Sequence, residues 1–347
     1  MTGEFDLIKR HLLGTGNRQP DRRDGYPSGV VPGSGVLLHA GDDAALLEPS
    51  PEKGVSVSVD TSLVDMHFPA DAPAHAIGYR ALAVSLSDLA AMGARPRWCL
   101  MALTLDRTDD IWLEQFSEGF HSLARQNGMT LVGGDVTRGA LAISVTVLGE
   151  NDPTATLRRD TAKAGDLIAV TGSLGNAAGG LAQWQAGQRN IVDNPLLQAY
   201  LYPQPRIAAG QALIGMASAA MDISDGLLAD LTHMCHASGL SAVLDTERLP
   251  ISTELINEVG ESASHELALN GGDDYELLFT LPEQLKDYVE QVLANCGASL
   301  NVIGRMKVAP VGSTYSHDAA APVIHTPQGE PLVAKGWDHF DKSEQLT

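Results

Sequence analysis

The chain has 347 residues, 44% of them hydrophobic, and its 43 acidic against 23 basic side chains give a formal charge of -20 with histidines neutral. That length fills more than one core and predicts two domains. The charge disfavours a scaffold for nucleic acid or anionic lipid, although metal ions and a few basic groups can still hold a small anionic substrate locally. Cys99, Cys235 and Cys296 stand far apart with no CxxC pair, which fits a reducing compartment. MTGEFDLIKRHLLG carries charges and no apolar run, so it does not read as a signal peptide.

In chain order, residues 14 to 35 are rich in Gly, Pro, Arg and Asp and read as an external, flexible stretch. GVLLHAGDDAALL then predicts a short strand running into a loop at Gly41. VSVSVDTSLVD alternates, with Val55, Val57 and Val59 on one face and Ser56, Ser58 and Asp60 on the other, which puts Asp60 at the end of a strand on its polar face. Residues 74 to 92 carry helical spacing, and Asp88 shares a stripe with Ala81, Val84 and Ala91, where it needs a partner. The serines and the aspartate of this segment favour a buried helix over a membrane span.

A second helix is predicted from 109 to 127, burying Trp112, Phe116, Phe120 and Leu123. MTLVGGDVTRGALAISVTVLG reads as strand, glycine turn and strand, with Asp135 in the turn. The polar segment NDPTATLRRDTAKAGD marks a boundary near 150 to 163. Beyond it come strand DLIAVTG, glycine turn TGSLGNAAGG, helices near 176–184 and 207–216, MDISDGLLADLTHMC, strand YELLFT and amphipathic helix PEQLKDYVEQVLANCG. Two α/β or α+β domains follow, the first covering 1–155 and the second 163–340.

Acids in glycine-rich turns and at element ends carry the chemistry: Asp42, Asp43, Asp60, Asp88, Asp135, Asp222, Asp225, Asp273 and Asp274. Such carboxylates suit Mg2+, a hard ion that binds carboxylates, hydroxyls, waters and phosphate oxygens, and their mutual repulsion calls for compensating cations or protons. Each acid alone also has a plain structural reading as a turn former, cap or satisfied polar contact. TGSLGNAAGG contains neither GxxxxGK[ST] nor GxGxxG, which argues against a P-loop ATPase and a nicotinamide dehydrogenase. His67 can meet a phosphate or an aromatic ring, and Arg138 and Arg159 can meet ATP oxygens; a loop histidine and solvated arginines are the alternatives.

Taken together, GDDAALL, SVDTSLVDMHF, ALAVSLSDLAAMGARP, VGGDVTRG, the K-A-G-D turn before LIAVTG, MDISDGLLADL and GGDDYELLFT closely resemble the thiamine-monophosphate kinase family. The resemblance runs from EFDLIKR to GWDHF. It implies a two-domain fold of the aminoimidazole-ribonucleotide-synthetase type, whose N-terminal mixed sheet joins another subunit in a homodimer and whose C-terminal domain closes an ATP cleft. The implied reaction is transfer of the ATP γ-phosphoryl group to thiamine monophosphate, giving thiamine diphosphate and ADP. This is the last step of a cofactor biosynthetic route in the cytoplasm, with no nucleic-acid or membrane partner.

On that resemblance Asp43, Ser58, Val59, Asp60, Asp88, Asp135, Asp222 and Asp225 match metal positions for several Mg2+ ions. Gly134, Asp135, Arg159 and Ser224 match nucleotide contacts, and His67 and Asp273 match substrate contacts. No side chain is implied as a catalytic base, because the transfer is direct and metal-assisted and a phosphate oxygen is already a nucleophile near neutral pH. The chain departs from the family pattern at Val59, often Thr, at Asp273, commonly Glu, and at Ala334, where an aromatic is usual and Trp337 is a possible substitute. Two other readings stand beside this one: an enzyme of the same fold acting on formylglycinamidine ribonucleotide or selenide, disfavoured by the lack of a reactive-Cys glycine loop, and a metal-dependent binding protein that makes no ADP.

Overall fold

The computed structural model describes residue 12 and residues 33–38, 43–309 and 323–335. Asp42, the EFDLIKR and GWDHF motifs, Trp337 and most of the Gly- and Pro-rich stretch lie outside the described residues. The chain forms two compact units, Met1–Thr156 and Leu157–Thr347.

In the first unit, a short hairpin of β1 (Val36–Leu38) and β2 (Leu46–Leu47) precedes β3 (Gly54–Leu63). Helix α1 (Ala74–Ala91), β4 (Arg95–Leu105), α2 (Asp110–Gln126), β5 (Thr130–Arg138) and β6 (Ala142–Asn151) follow. The four longer strands form a mixed sheet in the order β3-β6-β4-β5, with β4 and β5 parallel and the other pairs antiparallel. Helix α2 begins where its sequence dictates: the Asp109 carboxylate accepts the N–H groups of Ile111 at 3.0 Å and Trp112 at 3.2 Å. Its apolar stripe buries Phe116, Phe120 and Leu123, as the spacing predicts, and leaves Trp112 half-buried and stacked on Phe116.

The alternation in β3 exists, but its burial is the reverse of a simple amphipathic strand. Ser56, Ser58 and Asp60 lie half-buried on the face under α1, while Val55, Val57 and Val59 are 39%, 61% and 60% exposed. Asp60 is also inside the strand, three residues before its end, and not at its terminus. In β5, the GGD segment that reads as a turn is extended strand, and the turn comes later, at Gly139. Gly134 is required there by close approach: a Cβ would sit 2.0 Å from the Met101 carbonyl oxygen of the paired strand.

The second unit contains β7 (Leu167–Val170), α3 (Asn176–Gln185), α4 (Pro195–Leu201), α5 (Ile207–Ala212), β8 (Ala219–Asp222) and α6 (Leu227–Ser238). It continues with β9 (Leu240–Leu244), α7 (Thr253–Val259), α8 (Glu261–Asn270), β10 (Leu277–Leu281), α9 (Lys286–Asn295), β11 (Asn301–Val308), β12 (Ile324–His325) and β13 (Pro331–Leu332). Seven strands make one sheet in the order β13-β12-β9-β11-β7-β10-β8. Its core combines sheet residues such as Ile168, Val170, Leu278 and Ile303 with Leu227, Leu231 and Met234 of α6. Among the described residues no helix is long and apolar enough to cross a membrane.

Candidate functional site

In the first unit the sheet and α1 bring Ser58, Asp60 and Asp88 together. The Ser58 hydroxyl donates to an Asp88 carboxylate oxygen, the partner that the polar position on the helical stripe demands. Asp60 Oδ2 is buried with no hydrogen-bond partner. Burial, reinforced by the neighbouring Asp88 charge, pushes the Asp60 carboxyl up to about 6, and a bond from Ser85 offsets only part of this. A hard dication relieves both the missing partner and the repulsion, so this pair of carboxylates with a hydroxyl fits Mg2+ on its own geometry. Val59 contributes no such group from its side chain, which lies in the exposed row; only its carbonyl is an oxygen donor. Asp43 is exposed just after the undescribed residues 39–42.

Asp135 is not near Asp60. The row of paired residues Asp60, Val145, Met101 and Gly134 crosses the whole sheet, so Asp60 and Asp135 belong to opposite edge strands, about 14 Å apart at ~4.8 Å per strand. Alternation also places Gly134 on the covered face with Met101 and Asp135 on the other face with exposed Ala102. Among the described residues no three His, Cys, Asp or Glu side chains converge as a metal site. His67 closes the turn after β3, where its Nδ1 accepts the Leu63 N–H at 3.0 Å, which leaves Nε2 as the protonated nitrogen of the neutral ring.

In the second unit three loops meet. Ser224 and Asp273 are joined through the backbone, the Asp273 N–H donating to the Ser224 carbonyl at 2.9 Å, and the Tyr275 N–H donates to the Ile223 carbonyl at 2.9 Å. Asp273 and Tyr275 both take positive φ, 71° and 50°, and the Tyr275 hydroxyl donates to Asp273 Oδ1 at 2.9 Å. A tyrosine held in the left-handed region costs about 1–2 kcal/mol and persists only because the two loops over-determine it. Asp274 turns the other way: it accepts the Gly175 N–H at 2.7 Å and the Ala177 N–H at 3.4 Å, capping α3 and tying the glycine turn to the Asp273 loop. Burial pushes its carboxyl up to about 8 against those bonds. Arg159 is exposed, on a segment anchored beside β8 by the bond from the Ala220 N–H to the Arg158 carbonyl at 3.0 Å.

One functional group escapes the motif reading. Asp230, 2% exposed on α6, accepts the Ser224 N–H at 3.1 Å and the Asp225 N–H at 3.2 Å, holding the loop that carries Ser224 and Asp225 just after Asp222 ends β8. Desolvation pushes Asp230 up to about 8, and the Asp222 and Asp225 charges add to it. The signal in the sequence is an aspartate among Leu227, Leu228 and Leu231, on a helix face that is otherwise core. We expect Asp230→Ala to raise the Mg2+ concentration for half-maximal activity about tenfold, on the order of 1.4 kcal/mol. Asp230→Asn, which keeps an acceptor for both amides, stays within about threefold; a Mg2+ titration of both variants checks this.

Each of the two units carries grouped acids. Residues 41–151 match the N-terminal domain and residues 163–315 the C-terminal domain of AIR synthase related proteins, and the chain has that two-domain fold. Thiamine-monophosphate kinase from Haemophilus influenzae is 36% identical over 99% of this chain and 99% of its own length. The crystal structure of thiamine-monophosphate kinase from Stenotrophomonas maltophilia K279a superposes with a TM-score of 0.78 at 42% identity, covering 86% of this chain and 92% of that one. A structure of AaThiL complexed with AMPPCP and TMP gives 0.72 at 29% identity, covering 84% and 89%. The chain belongs to the thiamine-monophosphate kinase family.

Proposed function

We propose that this protein is an ATP-dependent kinase that converts thiamine monophosphate to thiamine diphosphate. An oxygen of the substrate phosphate attacks the γ-phosphorus of ATP, the bond from that phosphorus to the β,γ-bridging oxygen breaks, and ADP leaves. The observation that carries the reading is family membership over the whole chain, together with the pairing of Asp60 and Asp88 around an unpartnered buried oxygen.

In this reading Ser58, the Val59 carbonyl, Asp60, Asp88, Asp43 and Asp135 would be the Mg2+ ligands that the first domain supplies, and Asp222 and Asp225 would be those that the second supplies. When bound, Mg2+ neutralises the charge on the phosphate oxygens. Gly134, Asp135, Arg159 and Ser224 contact the nucleotide, and His67 and Asp273 the thiamine phosphate. The Tyr275 hydroxyl fixes the Asp273 carboxylate, an orientation that partly offsets its having one methylene fewer than the usual Glu. The loop bonds from Asp230 and Asp274 fix the second-domain loops before substrate arrives, which lowers the ordering cost on binding. The acidic surface favours the thiazolium cation of the substrate. The cytoplasm is the compartment that suits the three unpaired thiols and the reaction.

We further propose a homodimer formed by the N-terminal sheets. The uncovered row of Val55, Val57 and Val59, extended by Leu63 and Leu100, is an apolar face on a sheet whose other face is packed. The separation of Asp60 from Asp135 supports it too, because a second copy can offer its Asp135 edge to the Asp60 edge of the first. Sedimentation over a concentration series is expected to give twice the 36.6 kDa chain mass, and Val57→Glu to give an inactive monomer. A persistent parent monomer with full activity contradicts this assembly. For the reaction itself, purified protein with ATP and thiamine monophosphate is expected to form thiamine diphosphate and ADP only when Mg2+ is present; a folded, metal-supplied sample that forms none rejects the assignment.

A further inference from the structure

At the C-terminal ends of the parallel strands β4 and β5 lies an open cleft of about 410 Å3, within the size range of small-ligand sites. Leu105 and Val136 supply its apolar lining, Thr137 also lines it, and Arg107, Thr108 and Arg138 supply donors, with Asp106 the single carboxylate. Register places the two arginines on neighbouring stretches of backbone: Arg138 is paired with Leu105, two residues before Arg107, and the Gly139 N–H bonds the Leu105 carbonyl at 2.9 Å.

Elsewhere the described arginines are largely occupied. Arg97, Arg125, Arg158, Arg206, Arg248 and Arg305 each engage a carboxylate. Arg107 and Arg138 have no such partner among the described residues, although the chain carries a formal charge of -20. Two guanidiniums against one carboxylate make this cleft cationic in an acidic protein, which concentrates anions locally. The nearby start of α2 does not supply the donors, because Asp109 already accepts the N–H groups of Ile111 and Trp112. What remains is two planar guanidinium forks lining one cleft with the Thr108 hydroxyl beside them, a donor set suited to several oxygens on tetrahedral phosphorus and in excess of what one carboxylate uses. Arg138 lies three residues, about 10 Å, along β5 from Asp135.

We propose that Arg107 and Arg138 form an oligophosphate-binding site, with Thr108 as a hydroxyl donor. The proposal rests on the kinase reading only for the source of the ligand. A nucleotide and thiamine diphosphate both present the required linked phosphates.

Inorganic pyrophosphate is the probe, its affinity for the full-length protein measured calorimetrically at fixed ionic strength. Arg107→Gln and Arg138→Gln are each expected to weaken it about tenfold, with unfolding temperature unchanged because both side chains are exposed. Arg95→Gln, which removes another exposed arginine with no carboxylate partner among the described residues, at the opposite end of β4, is expected to leave it within twofold. Pyrophosphate affinity that is unchanged in the two cleft variants, or equally reduced by Arg95→Gln, overturns the site. Initial-rate kinetics then assign the source: a raised KM for ATP with an unchanged KM for thiamine monophosphate identifies the nucleotide, and weakened inhibition by thiamine diphosphate identifies the product. A parent protein that binds pyrophosphate in the cleft yet makes no thiamine diphosphate leaves this site standing and rejects the kinase reading instead.

Discussion

Asp60→Asn is expected to abolish phosphoryl transfer while making the metal-free protein more stable. The substitution removes an anionic metal ligand worth several kcal/mol in the transition state, about two to three orders of magnitude in kcat. The stability effect has the opposite sign. Burial and the Asp88 charge raise the Asp60 carboxyl to about 6, so the folded protein holds this proton more tightly than the unfolded chain does. Folding stability is therefore lost as pH rises from the unfolded value near 4 through about 6, and the penalty is full at neutral pH. It amounts to at most about 3 kcal/mol, from roughly two pKa units at 1.36 kcal/mol each. A neutral Asn carries no such penalty. Thermal unfolding without metal at pH 7.5 is expected to show a Tm raised by a few degrees in the variant, with the difference shrinking at pH 5. A lowered Tm at pH 7.5 with retained activity contradicts the role given to Asp60.

Asp135→Asn is expected to cost about two orders of magnitude in activity with little change in Tm. In an extended edge strand the side chain is exposed, and no turn depends on it, so the alternative role of Asp135 as a turn former is excluded by its position in β5. Its neighbour separates structure from chemistry. Gly134→Ala forces a methyl against the Met101 carbonyl oxygen and is expected to lower Tm sharply as well as activity. Product formation across a Mg2+ titration, set beside thermal unfolding, checks both. Unchanged activity and metal dependence in Asp135→Asn remove it from the ligand set.

The sequence makes some of this legible because local rules and tertiary needs agree. The α1 stripe announces that Asp88 requires a partner, and Ser58 is there; Asp109 announces the start of α2, and the helix starts there. Where they disagree, the local pattern misleads. Alternation in β3 gives two faces but not which is buried, since Ser85 and Asp88 on α1 meet Asp60 and Ser58 of the polar row and leave the valines outward. Paired glycines before Asp135 mimic a turn because the same lack of a side chain serves close strand approach. Asp230 is hidden by its leucine neighbours, and its role rests on two backbone amides that no side-chain motif encodes. The separation of Asp60 from Asp135 depends on strand order, which periodicity does not carry.

The central claim, direct transfer between two bound substrates, is tested most directly with ATP labelled in its γ-phosphate. Incubation with thiamine monophosphate and Mg2+, followed by acid quench and separation of products, is expected to place the label in the terminal phosphate of thiamine diphosphate, in amounts equal to the ADP formed, with none on the protein. Label found only in inorganic phosphate, or retained covalently on the chain, contradicts it.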